Sequence, residues 1–135
     1  MPQRSTWDFI VASKGREVIA VVDDDPLVRE AMDGLLSSLG YRVELYASAA
    51  EFITAALTTE ASCLLLDVQL GGMTGIELAR HLISTGFSFP TIFMTGSKDE
   101  SYQRDGVSLG CIDYLHKPFP ASQLICAIDK AIGSL

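Results

Sequence analysis

No apolar run in this 135-residue chain is longer than about five residues, and Val18–Val22 is typical. A bilayer-spanning helix needs roughly 20, so no membrane span is expected. Arg4 is followed by Trp7, Asp8 and Phe9 rather than by an apolar stretch, which argues against a secretory leader. Histidine is scarce. His81 and His116 lie far apart, and neither has a second ligand at metal-binding spacing, so surface or structural positions are expected for both. Cysteine is scarce too: Cys63, Cys111 and Cys126 are an odd number with no C-x-x-C pair. That pattern supports neither a disulfide framework nor a zinc site, and the expectation is buried, reduced thiols in a cytoplasmic protein. Basic residues are the minority, 10 Lys and Arg against 17 Asp and Glu, for a formal net charge of −7. Such a chain repels phosphate backbones, so direct nucleic-acid binding is not expected, and a basic partner or a bound cation is favoured.

What is present is globular. Hydrophobic residues make up 48% and charged residues 20% of a length that suits one core. Residues 1–16 mix Pro2, Ser5, Ser13 and Gly15 with a short apolar patch from Trp7 to Val11 and read as an N-terminal extension to a domain at 17–135. From Glu17 onward, apolar runs alternate with helical patterns. The runs are Val18–Val22, Arg42–Tyr46, Cys63–Leu66, Thr91–Met94 and Cys111–Leu115. Four are nearly continuous in apolar residues, as strands buried on both faces of a parallel sheet are. The run at 42–46 alternates, which suits an edge. Between them, Pro26–Leu39 places apolar residues at 27, 28, 31, 32, 35, 36 and 39, one helical face, with Asp25 as N-cap and Gly40 as terminator. Ser48 with Glu51, Thr74 with Glu77 and Ser97 with Glu100 form capping boxes for three more helices. The last helix runs from near Pro120 to about Ile132. Gly106 lies inside the helix after Ser97 and costs roughly 1 kcal/mol relative to alanine, so that helix is expected to be short or mobile.

Five βα units with right-handed crossovers imply an α/β, doubly wound (βα)5 fold of flavodoxin-like type, with helices on both faces of a parallel sheet ordered 2-1-3-4-5. Ligands of such sheets bind at the C-terminal ends of the strands. Strand 1 ends in Asp23-Asp24-Asp25, strand 3 in Asp67 and strand 4 in Thr95-Gly96, and strand 5 is followed by Lys117-Pro118. Carboxylates crowded at about 4 Å repel by roughly 4 kcal/mol at an effective dielectric near 20, so a raised pKa or a cation must offset them. An all-oxygen donor set suits Mg²⁺ or Mn²⁺. Asp67 is a candidate carboxylate nucleophile, and Lys117 and Thr95 are donors for phosphoryl oxygens, which are the parts phosphoryl transfer requires.

The segments VVDDDPLVREAM, LLLDVQLGGMTGIEL, TIFMTGS and GCIDYLHKPF resemble the receiver domains of two-component response regulators over about residues 17–134, and MTGIEL and DYLHKPF resemble the FixJ-type subfamily. The resemblance implies that Asp67 accepts the phosphoryl group and that Asp24 and Asp67 ligate Mg²⁺, with Asp23 acting largely through water and the Gln69 backbone carbonyl completing the set. It also implies that Thr95 and Tyr114 switch together. Phosphate would draw Thr95 inward and Tyr114 would follow, repacking the face made by the fourth helix, fifth strand and fifth helix for a downstream protein target. A histidine kinase or histidine phosphotransfer protein would be the donor. Lys117–Pro118 is expected to be cis, and Gln69 and Ser97 occupy positions that tune acyl-phosphate hydrolysis. Such a protein is not an enzyme in the ordinary sense, since it supports its own phosphorylation and dephosphorylation.

The chain departs from the family pattern at Leu70-Gly71-Gly72, where a proline is usual. Two glycines are expected to loosen that loop. FixJ-type receivers are commonly followed by a helix-turn-helix output domain, whereas this sequence stops at Leu135; a stand-alone regulator is expected, with an excised receiver of a DNA-binding regulator as the alternative. A homodimer through the last two helices is left open. Two other readings compete. A haloacid-dehalogenase-type phosphatase would use Asp23 of the D-x-D in Asp23-Asp24-Asp25 as nucleophile, but the chain is short for that fold and Leu27 stands where threonine or valine is usual. A pseudo-receiver would have lost acidic or acceptor residues, and none is lost.

Overall fold

Burying a five-stranded parallel sheet on both faces requires apolar side chains on both sides of every central strand. The structure, a computed structural model that describes residues 17–133, meets that demand. Strands β1 (Val18–Val22), β2 (Arg42–Tyr46), β3 (Ala61–Asp67), β4 (Thr91–Thr95) and β5 (Asp113–His116) form one sheet in the order β2-β1-β3-β4-β5, and the paired strands run parallel. Helices α1 (Pro26–Ser38), α2 (Ala49–Ala55), α3 (Gly75–Ser84), α4 (Glu100–Ser108) and α5 (Ala121–Ile132) connect and cover it. The expected fold and strand order are those observed. β2 is the half-exposed edge, and Arg42 and Leu45 point to solvent.

Successive strand residues alternate between two cores. Ala20, Val22, Leu64, Leu66 and Phe93 pack with Phe52 of α2, Ile76, Leu78 and Leu82 of α3 and, at its border, Tyr102 of α4. Ile19, Val21, Leu65, Ile92 and Met94 pack with Leu36 of α1 and Leu124 and Ile128 of α5. The extension at 1–16 lies outside the described residues. Among the described residues, no helix is long and apolar enough to cross a membrane.

Several local expectations need correction. β3 begins two residues earlier than its apolar run and continues through Asp67, whereas β5 starts at Asp113 because the chain at Cys111 and Ile112 is still turning in from α4. Ser97 does not cap α4. The Asp99 carboxylate accepts from the Ser101 N–H at 2.9 Å, and the Ser97 hydroxyl serves the Asp99 N–H instead. At α2 Ser48 is the N-cap as expected and accepts from the Glu51 N–H, but the Glu51 carboxylate reaches the Ala47 N–H rather than that of Ser48. Cys63 is buried, but Cys111 is only half-buried and Cys126 is exposed, since Leu124, Ala127 and Ile128 carry the inner stripe of α5. In α1 the apolar stripe is only partly core. Leu36 is buried, while Leu27 is 73% exposed.

Gly106 has a packing reason. A Cβ there would come within 3.0 Å of the ring of Phe93, which is fully buried and packed against Tyr114. Gly106→Ala gains about 1 kcal/mol of helix propensity but overpacks a ring that cannot retreat, at roughly 1–3 kcal/mol. The expected net result is a lower urea midpoint, by about 1 kcal/mol of stability, although helix propensity alone predicts a higher one.

Candidate phosphoacceptor site

Strand register brings the predicted residues to one edge. Val22 pairs with Leu66, Asp67 with Met94 and Thr95 with His116, so Asp23, Asp67, Thr95 and Lys117 emerge at neighbouring levels. The main chain continues the ladder past the strands. The Lys117 N–H donates to the Thr95 carbonyl at 2.7 Å, and the Asp23 N–H donates to the Tyr46 carbonyl at 3.1 Å. The Lys117–Pro118 peptide bond is cis.

Asp23, Asp24 and Asp67 each offer a carboxylate oxygen within 4.8 Å of the others. Asp23 is fully buried, Asp67 nearly so, and Asp24 faces solvent. Asp23 is held on both oxygens, with the Asp25 N–H at 2.9 Å and the Lys117 ammonium at 2.8 Å. The same ammonium lies 3.5 Å from Asp67, whose other oxygen accepts from the Gln69 N–H at 3.1 Å. Burial is the main force on Asp67 and pushes its pKa up to about 6; Asp23 adds to the rise, and Gln69 and Lys117 oppose it. Burial alone would lower the pKa of Lys117, but the bond to Asp23 and the charge of Asp67 outweigh it, so the net direction is up. The donor chemistry fits a hard divalent ion: three carboxylates converge, and one of them is open to solvent for water ligands.

Thr95 is fully buried, and its hydroxyl oxygen accepts from the Ser97 N–H at 2.9 Å, which leaves its own proton free to donate. Tyr114 is already buried beside it. The ring of Tyr114 packs on Phe93 and, edge-on, against His116. Among the described residues its hydroxyl meets no partner in hydrogen-bonding geometry; burial pushes its pKa up, and the nearby Thr95 hydroxyl pulls the other way.

Two features of the site escaped the sequence. Gly75 opens α3 directly against the end of β3, and a Cβ there would sit 2.2 Å from the Asp67 carbonyl oxygen, so only glycine permits this approach. The glycine itself is visible in the sequence, but helical periodicity gives no hint of the contact. Arg29 reaches back from α1 to the Asp23 carbonyl at 2.8 Å. The loop expected to be loosened by Gly71 and Gly72 is anchored by Leu70, which is buried in the core, and Gly72 has φ +88°, a conformation that favours glycine.

Residues 19–129 match the family model for the response regulator receiver domain. The chain belongs to the receiver-domain family. Within it the chain is of FixJ type. It is 36% identical over 115 residues to the transcriptional regulatory protein FixJ of Azorhizobium caulinodans, covering 85% of this chain and 54% of that protein. Full-length FixJ from B. japonicum superimposes with a TM-score of 0.82 at 34% identity, over 87% of this chain and 58% of that one. A CheY-like receiver domain protein from Methanospirillum hungatei JF-1 gives 0.81 at 25% identity, over 87% and 94%. The chain spans about half the length of the curated relatives it matches.

The raised pKa of Asp67 has a consequence for stability. A carboxyl that binds its proton more tightly in the folded than in the unfolded chain favours folding at low pH. That contribution is complete below the unfolded value near 4, falls as pH rises to about 6, and is absent above it. At about 1.4 kcal/mol per pKa unit, Asp67→Asn in EDTA is expected to stabilise the receiver by roughly 2–3 kcal/mol at pH 7.5. The gain should vanish below about pH 4, as read from urea denaturation across pH.

Proposed function

We propose that this receiver accepts a phosphoryl group on Asp67 from a phosphohistidine donor and converts it into a change in a protein-binding surface. The observation that carries the reading is the convergence of Lys117, Asp23 and Asp67 at one sheet edge, with Thr95 at the neighbouring strand end. The Asp67 carboxylate attacks phosphorus, the bond from phosphorus to the donor nitrogen breaks, and the electron pair returns to the imidazole, which takes a proton from solvent. Burial raises the pKa of Asp67, and a divalent cation on the same carboxylate would lower it again, so the ionised carboxylate is the nucleophile. Lys117 then exchanges Asp67 for a phosphoryl oxygen, and the free Thr95 proton serves another. Asp24, Asp67 and the Gln69 carbonyl, with Asp23 behind them, would hold Mg²⁺ or Mn²⁺, whose charge neutralises the incoming phosphoryl oxygens.

The donor has a place to dock. Leu27, Val28 and Ala31 of α1 form an apolar groove with Pro118 and Phe119, and Lys117 borders it. The groove adjoins the acceptor site and suits the apolar face of a kinase or phosphotransfer helix. On the output side, the buried Tyr114 ring packs on Phe93 and against His116, and Thr95 lies at the neighbouring strand end, so a phosphoryl group that engages Thr95 changes the packing around Tyr114 and with it the face of α4, β5 and α5 that signals to a protein target. The protein acts as a cytoplasmic switch that supports its own phosphorylation and dephosphorylation and turns over no other substrate.

Incubation of the chain with acetyl phosphate and Mg²⁺, followed by intact mass spectrometry, is expected to show one added phosphoryl group. Asp67→Asn should abolish the gain, and Asp23→Asn should slow it without abolishing it. Labelling that survives Asp67→Asn and is lost in Asp23→Asn would favour the dehalogenase-type phosphatase instead.

A further inference from the structure

Asp23 is bonded by two cationic side chains, and the site described above uses only one of them. Lys117 takes its carboxylate, whereas Arg29 takes its main-chain carbonyl through Nη1 at 2.8 Å. Arg29 is the fourth residue of α1, and the first turn of that helix carries no acidic residue. A cation near a helix N-terminus is set against the helix dipole, so helix formation does not account for it. What the guanidinium does is tie α1 back over the turn Asp23–Asp25, three residues that supply two of the three clustered carboxylates and the helix cap. The carbonyl of Asp23 lies just past the last residue of β1, outside the strand's regular pairing with β3.

We infer that Arg29 is a positioning residue of the cation pocket: its bond to the Asp23 carbonyl holds the β1–α1 turn so that the Asp23 and Asp24 carboxylates face Asp67. The inference rests on the cation-dependent reading of the site given above. Geometry and charge predict opposite signs, which makes it testable. Removing a positive charge near three carboxylates makes the pocket more negative and by Coulomb attraction alone tightens cation binding. Releasing the turn spreads the carboxylates and weakens it. Groups that orient metal ligands in this manner typically contribute tenfold or more to affinity.

The test is direct Mn²⁺ binding to the full chain, followed by electron paramagnetic resonance of the free ion, on wild type, Arg29→Ala and Arg29→Lys. The expected result is about tenfold weaker binding in Arg29→Ala, partial recovery in Arg29→Lys, and a metal-free melting temperature close to wild type. With acetyl phosphate, the Mg²⁺ concentration for half-maximal labelling should rise to the same extent, while the rate at saturating Mg²⁺ stays within about twofold of wild type. Unchanged or tighter Mn²⁺ binding in Arg29→Ala overturns the inference. If Arg29→Ala does not fold, Arg29→Met decides, since it keeps an apolar stem but has no donor for the Asp23 carbonyl, and unchanged or tighter Mn²⁺ binding there would overturn the inference. Failure of the wild-type chain to bind Mn²⁺ would overturn the cation-dependent reading itself.

Discussion

The ammonium of Lys117, 2.8 Å from Asp23 and 3.5 Å from Asp67, is the interaction on which the rest of the site depends. Two carboxylates buried side by side cannot both ionise cheaply, and a buried charge persists only when it is paired and bonded. Lys117 supplies one pairing for both. It does so incompletely, because burial still pushes Asp67 up to about 6. That residual cost is the useful part of the arrangement. The site holds more carboxylate charge than Lys117 balances, which favours a divalent cation.

The fold exists to hold this imbalance in place. Four strand ends must meet at one level, and they do because each central strand is apolar on both faces and has no register freedom without exposing a core residue. Gly75 lets α3 close against the carbonyl of Asp67, and Leu70 pins the intervening loop. Thr95 and Tyr114 extend the same edge toward β5 and α5. Apolar packing carries the stability, while the polar edge spends part of it.

Most of this was legible in the sequence because the signals are local or repeat along the chain. Continuous apolar runs marked the strands, the alternation at Arg42–Tyr46 marked an edge, and Asp25-Pro26 marked a helix start that the Leu27 N–H bond to Asp25 bears out. The polar residues at the strand ends could be placed together because parallel topology leaves one edge for them. What was not legible depends on who packs against whom. Asp99 displaced Ser97 as a cap because its carboxylate serves both the N–H and the hydroxyl of Ser101. Gly106 looked like a defect until the ring of Phe93 filled its place. Leu27 and Cys126 matched a core pattern, yet they lie where α1 and α5 turn outward, and periodicity records an apolar face without saying what covers it. Arg29 gave no signal beyond being a cation early in a helix.

The most direct test of the account is a crystal structure of the chain grown with Mg²⁺ and beryllium trifluoride. The expected result is beryllium bonded to an Asp67 carboxylate oxygen, the cation against Asp24 and Asp67, the ammonium of Lys117 moved from Asp67 to a fluorine, and the Thr95 hydroxyl bonded to another. Beryllium bonded to Asp23, a cation bound away from these carboxylates, or a Lys117 that stays on Asp67 while the beryllium sits elsewhere would contradict it.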